Sequence, residues 1–207
     1  MEYDVLIIGG GPSGLSSAIK VKQLANAEGK DVSVCVLEKG SEIGAHILSG
    51  NVFEPTALNE LIPDWKEKEA PLNSPATKDI VKFMISENSS INIPFPSFLI
   101  PTFNNHGNYV MSLANFTRWL ATQAESLGVE IFPGFTAAEV IFEENVVKGV
   151  LTGEMGISKD GEKKPSYQPS MELRGKYTVF AEGCRGHLGK QLIKKFNLDE
   201  NRDPQHY

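Results

Sequence analysis

The feature that most constrains the fold is a glycine-rich turn between a predicted strand and a predicted helix. Tyr3–Ile8 is a short apolar run typical of a buried parallel strand. Gly9–Gly14 follows it, and apolar residues then recur at helical spacing as far as Gly29. A second apolar run, Val32–Leu37, ends at Glu38. This order predicts a βαβ unit with a crossover helix, and therefore an α/β fold.

The glycines of this turn have separate physical roles. Gly9 permits a tight turn, Gly11 lets the backbone approach a pyrophosphate, and Gly14 allows close packing of helix and strand. The pyrophosphate is expected at the helix N-terminus, where unpaired N–H groups favour an anion. Glu38 is placed to accept hydrogen bonds from an adenosine ribose, and its charge disfavours NADP.

Three further features favour FAD over NAD as the dinucleotide. The loop Lys39–Ala45 continues past Glu38 with two more glycines, as expected of a chain that follows an extended cofactor. Downstream, Tyr177–Ala181 predicts another buried strand, which ends in a second glycine-rich turn, Glu182–Gly186. Between them we predict a meander instead of repeated helical crossovers, with strands at Ile131–Phe132, Ala137–Phe142 and Val146–Thr152.

Composition excludes several classes of function. The chain has 20 Lys and Arg against 26 Asp and Glu, and a net charge of -6 argues against a nucleic-acid partner. Its two cysteines, Cys35 and Cys184, cannot form a disulfide scaffold or supply four thiolates to a metal site, which indicates a reducing compartment. The start has no signal peptide or targeting pattern, and no run approaches the ~20 apolar residues of a membrane span.

Motifs along the whole chain resemble the N-terminal part of the electron-transfer flavoprotein:ubiquinone oxidoreductase family. The matching stretches are Gly9–Gly14, Leu37–His46, Leu48–Gly50, Leu61–Trp65, Asn104–Tyr109, Gln123–Glu130, Gly156–Gly161, Phe180–Gly186 and Asp203–Gln205. The resemblance implies a Rossmann-like FAD-binding domain of the glutathione-reductase and aromatic-hydroxylase type. Residues 1–75 and 113–207 would form this domain, and 76–112 part of an inserted quinone-side domain with strands at Ile80–Ser86 and Asn108–Leu113.

The resemblance also implies a function. The family passes electrons from reduced electron-transfer flavoprotein to ubiquinone through FAD and a [4Fe–4S] cluster, at the cytoplasmic face of a bacterial membrane or the matrix face of the mitochondrial inner membrane. Its members are more than twice as long and carry four cysteines in a C-terminal segment, so we expect a truncated chain with little activity alone. An FAD-dependent geranylgeranyl-reductase-like enzyme and a non-catalytic fragment remain alternatives.

The family resemblance assigns cofactor contacts and neither a catalytic side chain nor a metal ligand. The pyrophosphate falls to Gly9, Gly11, Pro12, Ser13 and Gly14, the ribose to Glu38, and the adenosine side or the approach to the flavin to Lys39, Gly44 and Ala45. The isoalloxazine falls to Ser49 and Gly50, the middle of the cofactor to Glu182 and Gly183, and the adenine to Val140. Arg118 is assigned either to an FAD phosphate or to a surface ion pair.

Other segments have structural interpretations beside functional ones. Asn115–Gly128 predicts a helix capped by Asn115, with a core face of Phe116, Trp119, Leu120, Ala124 and Leu127. His106 is expected either near quinone and flavin or in a turn satisfied by local hydrogen bonds. Cys184 and His187 are interpreted as structural, and Lys159–Lys164 as a hairpin tip. The aromatic, proline-rich stretch Ile91–Phe103 predicts a loop, which by composition alone could equally fold over the core of its own domain. The resemblance favours a membrane surface that leads quinone toward the flavin, as part of a monotopic attachment.

Overall fold

The computed structural model describes residues 1–93 and 104–200, which fall into two compact units. The first unit comprises Met1–Ile47 and the chain from Thr117 onward, and the second comprises Leu48–Phe116. Residues 76–112, predicted as part of a second domain, thus belong to a unit that begins at Leu48. The predicted domain boundaries remain a proposal.

The described residues form twelve strands and four helices. The strands are β1 (Glu2–Ile8), β2 (Val34–Glu38), β3 (Asn51–Phe53), β4 (Val81–Ser86), β5 (Ser89–Ile93), β6 (Tyr109–Met111), β7 (Glu130–Pro133), β8 (Ala137–Glu143), β9 (Val146–Thr152), β10 (Met155–Ile157), β11 (Lys163–Gln168) and β12 (Glu172–Phe180). The helices are α1 (Pro12–Ala27), α2 (Thr56–Leu61), α3 (Leu113–Ser126) and α4 (His187–Phe196).

A six-stranded sheet in the order β7-β2-β1-β12-β9-β8 organises the first unit. Strand β1 is parallel to both neighbours, with Val5 opposite Val34 in β2 and Tyr177 in β12. Helix α1 packs on β1 and β2 and buries Leu15 and Ile19 completely. The predicted βαβ unit is therefore confirmed, and the fold is a Rossmann-like α/β domain.

The predicted meander is wrong in one respect. Strand β7 does not join β8 and β9, because it lies at the opposite edge of the sheet, parallel to β2. Helix α3 precedes β7 and provides the crossover that a parallel strand requires. Strands β8 and β9 do form a hairpin, and its turn residues Glu144 and Asn145 both have positive φ.

Strand β12 also differs from the prediction of a buried strand at Tyr177–Ala181. It begins earlier, at Glu172, and the Tyr177 side chain is 73% exposed. Leu173 near the start of the strand belongs to the main hydrophobic cluster, against which Phe180 and Leu192 pack. The cluster is formed by Tyr3, Leu6, Ile8, Cys35, Leu37, Ala137, Val140, Val150, Leu173 and Leu188.

Helix α3 begins two residues before the predicted start. Ser112 precedes it, and the Ser112 Oγ accepts a hydrogen bond from the Asn115 amide at 3.3 Å, so Ser112 and not Asn115 provides the side-chain cap. Gly128, with φ +83°, follows the last turn as expected. Of the predicted core face, Phe116, Leu120 and Ala124 are buried and Trp119 and Leu127 are half-buried; Thr117 and Ala121 are buried as well.

The second unit is built from short antiparallel pairs. Strand β3 pairs with β6, and the hairpin β4–β5 places Phe83 opposite Ile91, both more than half exposed. Trp65 is buried, and its Nε1 donates to Asn59 Oδ1 at 2.7 Å. Strands β4 and β6 match the two predicted strands.

Of the predicted aromatic loop, Ile91–Ile93 belong to β5, and the rest, residues 94–103, lies outside the described residues. The prediction of a membrane-facing loop therefore stays a prediction. Among the helices of residues 1–93 and 104–200, none is long and apolar enough to cross a bilayer.

Candidate functional site

The turn between β1 and α1 owes its shape to two crowded glycines. Gly9 has φ +111°, and a Cβ on it would collide with the Ala181 carbonyl group. A Cβ on Gly14 would collide with the carbonyl oxygen of Gly9, so helix and strand pack as closely as the sequence predicts. Neither position has room for a side chain, and both glycines are structural requirements of the turn.

Gly11 differs from these two glycines because nothing lies within 4 Å of the position that its Cβ would take. It is the N-cap of α1 and has no side chain to cap the helix, whose first turn contains no acidic residue; among residues 1–93 and 104–200 no side chain is hydrogen-bonded to its first amides. Pro12 follows at the start of the helix. An open position beside an uncapped N-terminus of a 16-residue helix is suited to an anionic group, because the first N–H groups and the helix dipole face it.

Glu38 at the end of β2 links two loops through its carboxylate. Oε2 accepts a hydrogen bond from the Gly10 amide at 2.9 Å, and Oε1 accepts one from the Gly40 amide at 2.6 Å. An ionised carboxylate has about four lone-pair sites, so two acceptor positions remain for ligand hydroxyls. The contact of Glu38 with a ribose remains a prediction.

The loop after Glu38 carries the next group of predicted contacts. Lys39 and Ala45 are exposed, and Gly44 is buried with φ +83°. Arg118, on α3, lies 3.3 Å from Glu42 of this loop in an exposed ion pair. Of the two predicted roles for Arg118, the structure contains the ion pair; its contact with a phosphate stays a prediction.

The second glycine-rich turn lies beside the first, because the Ala181 amide donates to the Ile8 carbonyl oxygen at 2.8 Å. Gly183 has φ +76° and open space around its Cβ position. The Glu182 carboxylate accepts hydrogen bonds from the amides of Leu188 at 3.4 Å and Gly189 at 2.9 Å. Glu182 therefore caps α4, and whether it also closes over a cofactor remains a prediction.

The sequence prediction missed this capping role, although a signal was available. The N-cap residue of α4 is Gly186, which has no side chain to accept from the helix amides. An acidic residue four positions earlier can fold back over the turn and replace it. His187 Nδ1 also lies 3.4 Å from Glu182, which places the predicted structural histidine against the same carboxylate.

The remaining predicted contacts are Ser49, Gly50 and Val140, which belong to neither turn. Ser49 and Gly50 belong to the second unit, where Ser49 Oγ is hydrogen-bonded to Ser112 Oγ at 2.6 Å and Gly50 has φ +86°. The Val140 side chain is buried in the hydrophobic cluster of the sheet, so only its backbone is available to a ligand. Their assigned roles remain predictions.

His106 lies in a turn with local hydrogen bonds. Its amide donates to Asn104 Oδ1 at 3.1 Å, and the neighbouring Asn105 donates its side-chain amide to Asp79 Oδ1 at 2.7 Å. The Asn105 backbone amide also donates to Asp79 Oδ2 at 3.2 Å, and the two hydrogen bonds from Asn105 lower the pKa of the Asp79 carboxyl. The turn at His106 is thus held by local hydrogen bonds, and a position of His106 near quinone and flavin stays a prediction.

Both cysteines are free thiols in different environments. Cys35 is buried, and burial together with the nearby charge of Glu130 raises the pKa of its thiol to about 12. Cys184 is exposed in the second turn. Within the described part of the chain, no three His, Cys, Asp or Glu side chains come together as a metal site.

Comparison with known sequences identifies proteins that this chain resembles. A profile of the NAD(P)-binding Rossmann-like domain matches residues 7–62. Over all of its length the chain is 59% identical to the electron transfer flavoprotein-ubiquinone oxidoreductase of Pseudomonas aeruginosa, and it covers 38% of that protein. It is 50% identical to the human mitochondrial protein of the same name and covers 33% of it. The chain thus spans about a third of the length of the curated relatives it matches.

Solved structures with the same fold include flavin-dependent proteins. A geranylgeranyl bacteriochlorophyll reductase-like protein from Thermoplasma acidophilum superimposes with a TM-score of 0.63 at 23% identity, over 91% of this chain and 41% of that one. The FAD-dependent halogenase CndH gives a TM-score of 0.57 at 20% identity, over 91% of this chain and 39% of that one. At these identities the likeness is one of fold.

Proposed function

We propose that this chain, which belongs by sequence to the electron transfer flavoprotein-ubiquinone oxidoreductase family, binds FAD at the first glycine-rich turn. The family name supports a role in electron transfer from a reduced flavoprotein to ubiquinone. We propose this role for the longer proteins that contain such a segment. Their partners would be electron-transfer flavoprotein, ubiquinone and a membrane surface.

The observation that carries the proposal is the contrast among the glycines of one turn. Gly9 and Gly14 are closed by neighbouring backbone, whereas the position above Gly11 is open and faces the uncapped N-terminus of α1. A pyrophosphate fits this arrangement, because N–H groups and the helix dipole stabilise negative charge there. The residues present therefore suit a dinucleotide.

When bound, FAD would supply the redox chemistry, since the flavin accepts and releases electrons. The chain's own residues bind and orient the cofactor. The backbone of Gly11, Ser13 and Gly14 would hold the pyrophosphate, and the free lone pairs of Glu38 would accept from ribose hydroxyls. The carboxylate at this position repels a 2′-phosphate and so supports selection against NADP.

A [4Fe–4S] cluster is part of the function that the family resemblance implies. Such a cluster needs four thiolate ligands, and the 207 residues contain two cysteines. The donor set of this chain does not fit the cluster, so we derive no step through it. The proposed function of this chain is limited to the flavin.

Titration of the purified chain with FAD tests the proposal, with binding followed by quenching of flavin fluorescence. We expect saturable binding of FAD and at least tenfold weaker binding of NADP. Gly29→Ala serves as a control, since Gly29 also has positive φ and open surroundings but lies at the far end of α1. Equal affinity for both dinucleotides, or no saturation with FAD, would contradict the proposed function.

A further inference from the structure

We propose that Glu38 is a positioning residue that assembles the adenosine side of the site before any ligand binds. This goes beyond a direct contact between its carboxylate and a ribose. The inference relies on the proposed function only for the nature of the ligand. Its evidence is the set of contacts that Glu38 makes within the chain itself.

The two carboxylate oxygens of Glu38 bind two different loops. Gly10 belongs to the turn after β1, and Gly40 belongs to the loop after β2. Each amide donates to a separate oxygen, at 2.9 Å for Gly10 and 2.6 Å for Gly40. Because hydrogen bonds to a charged acceptor are stronger than neutral ones, these two contacts hold the loops in register.

Packing around the carboxylate leaves no room for a side chain at Gly10 and little at Gly40. A Cβ on Gly10 would lie 2.6 Å from Ile43 Cδ1 and 3.0 Å from Glu38 Cβ. A Cβ on Gly40 would lie 3.0 Å from Glu38 Oε1. The absence of side chains at both glycines is therefore what allows the carboxylate to reach both amides.

The backbone of the same segment fastens a third loop. The Phe135 amide donates to the Glu38 carbonyl oxygen at 3.0 Å, and the Gly134 amide donates to the Gly40 carbonyl oxygen at 2.7 Å. Both donors follow β7, the edge strand beside β2. Glu38 thus lies where the loops after three adjacent parallel strands meet.

This arrangement also strengthens discrimination against a 2′-phosphate. A carboxylate on a free side chain could rotate away from an approaching anion, whereas Glu38 would have to break two hydrogen bonds to do so. Its charge therefore stays at the ribose end of the site. Ligand hydroxyls use the lone pairs that the two amides leave free.

Hydrogen–deuterium exchange on the flavin-free chain tests the inference without any ligand. In Glu38→Gln, the side-chain NH2 group would face one of the two amide donors, so one hydrogen bond is lost. We expect exchange of the amides in residues 9–14 and 38–45 to accelerate about tenfold or more. Glu125→Gln is the matched control, since it removes one charge from an exposed position on α3 and should leave both segments unchanged.

The outcomes separate this inference from the proposed function. Unchanged exchange in both segments, together with weaker FAD binding, would overturn the positioning role and leave FAD binding in place. Accelerated exchange in Glu38→Gln, together with no FAD binding by the wild-type chain, would support the positioning role and refute the proposed function. If Glu38→Gln fails to unfold cooperatively, Glu38→Asp replaces it: the shorter side chain cannot reach both amides, so unchanged exchange in that variant would also overturn the inference.

Discussion

The two glycine-rich turns of the first unit follow neighbouring parallel strands, but the helices that follow them differ in how their N-termini are capped. Both α1 and α4 begin at a glycine N-cap without a side-chain cap of its own. In the second turn, Glu182 folds back and accepts from the first amides of α4. In the first turn, none of the described carboxylates does this for α1, and Glu38 binds Gly10 and Gly40 instead. The same local pattern thus gives one helix end that an internal anion satisfies and one that is available to an external anion.

Substituting Gly14 is expected to have the largest effect on this comparison. In Gly14→Ala the new Cβ would collide with the carbonyl oxygen of Gly9, and the backbone cannot yield without separating α1 from β1. We expect the free energy of unfolding to fall by about 2–3 kcal/mol, measured by urea denaturation. A loss below about 0.5 kcal/mol would show that the first turn is less crowded than described.

Gly11→Ala tests whether the first turn is open because it binds a ligand. Gly11 has φ -77°, which alanine adopts readily, and its Cβ would meet no protein atom. We expect FAD affinity to fall about tenfold, or about 1.4 kcal/mol, since the methyl group would occupy the space assigned to the pyrophosphate. Stability should change by less than about 1 kcal/mol. Unchanged FAD affinity in Gly11→Ala would contradict the proposal that the open position at the first turn holds the pyrophosphate.

Glu182→Gln tests the other side of the comparison. The substitution removes the charge that caps α4, so the free energy of unfolding should fall by about 1 kcal/mol in thermal or urea unfolding. FAD affinity should fall less than in Gly11→Ala if capping is the main role of this side chain. A larger loss of affinity than of stability would instead support the predicted contact of Glu182 with the cofactor.

Gly183→Ala should have the smallest effect. Its φ of +76° strains an L side chain, but nothing crowds the position, so the expected loss of stability is about 1 kcal/mol. Gly29→Ala is the matched comparison, with φ +64° and equally open space. Similar losses in both variants would indicate that backbone strain alone is responsible, whereas an additional loss of FAD affinity in Gly183→Ala would support its predicted role.

The first turn could be predicted from sequence because its constraints are local. Gly14 is required by its contact with Gly9 inside the turn, and the turn itself gives Gly9 its positive φ, so both follow from the βαβ unit; only the contact of Gly9 with Ala181 comes from a distant part of the chain, after β12. The place of β7 could not be predicted in the same way. Its partner β2 is distant in the chain, and alternating apolar residues do not reveal which strand lies beside which.

The second turn was harder to interpret for a related reason. A carboxylate before a glycine-rich turn has the same sequence pattern whether it faces a ligand or its own helix. The choice depends on how the side chain of Glu182 crosses the turn to reach Gly189, which is a matter of three-dimensional geometry. Likewise, the Arg118 side chain could be placed on α3 from the helical period, but its ion pair with Glu42 depends on how the loop after β2 packs.

Because only one of the two thiols is accessible, a reporter group can be attached selectively at the second glycine-rich turn. Cys35 is buried and its thiol has a pKa of about 12, so it is almost entirely protonated at neutral pH and closed to reagents. Cys184 is exposed beside Gly183. A thiol-reactive fluorophore added to the native chain would therefore attach at Cys184, and its emission would follow changes in that turn without any engineered cysteine.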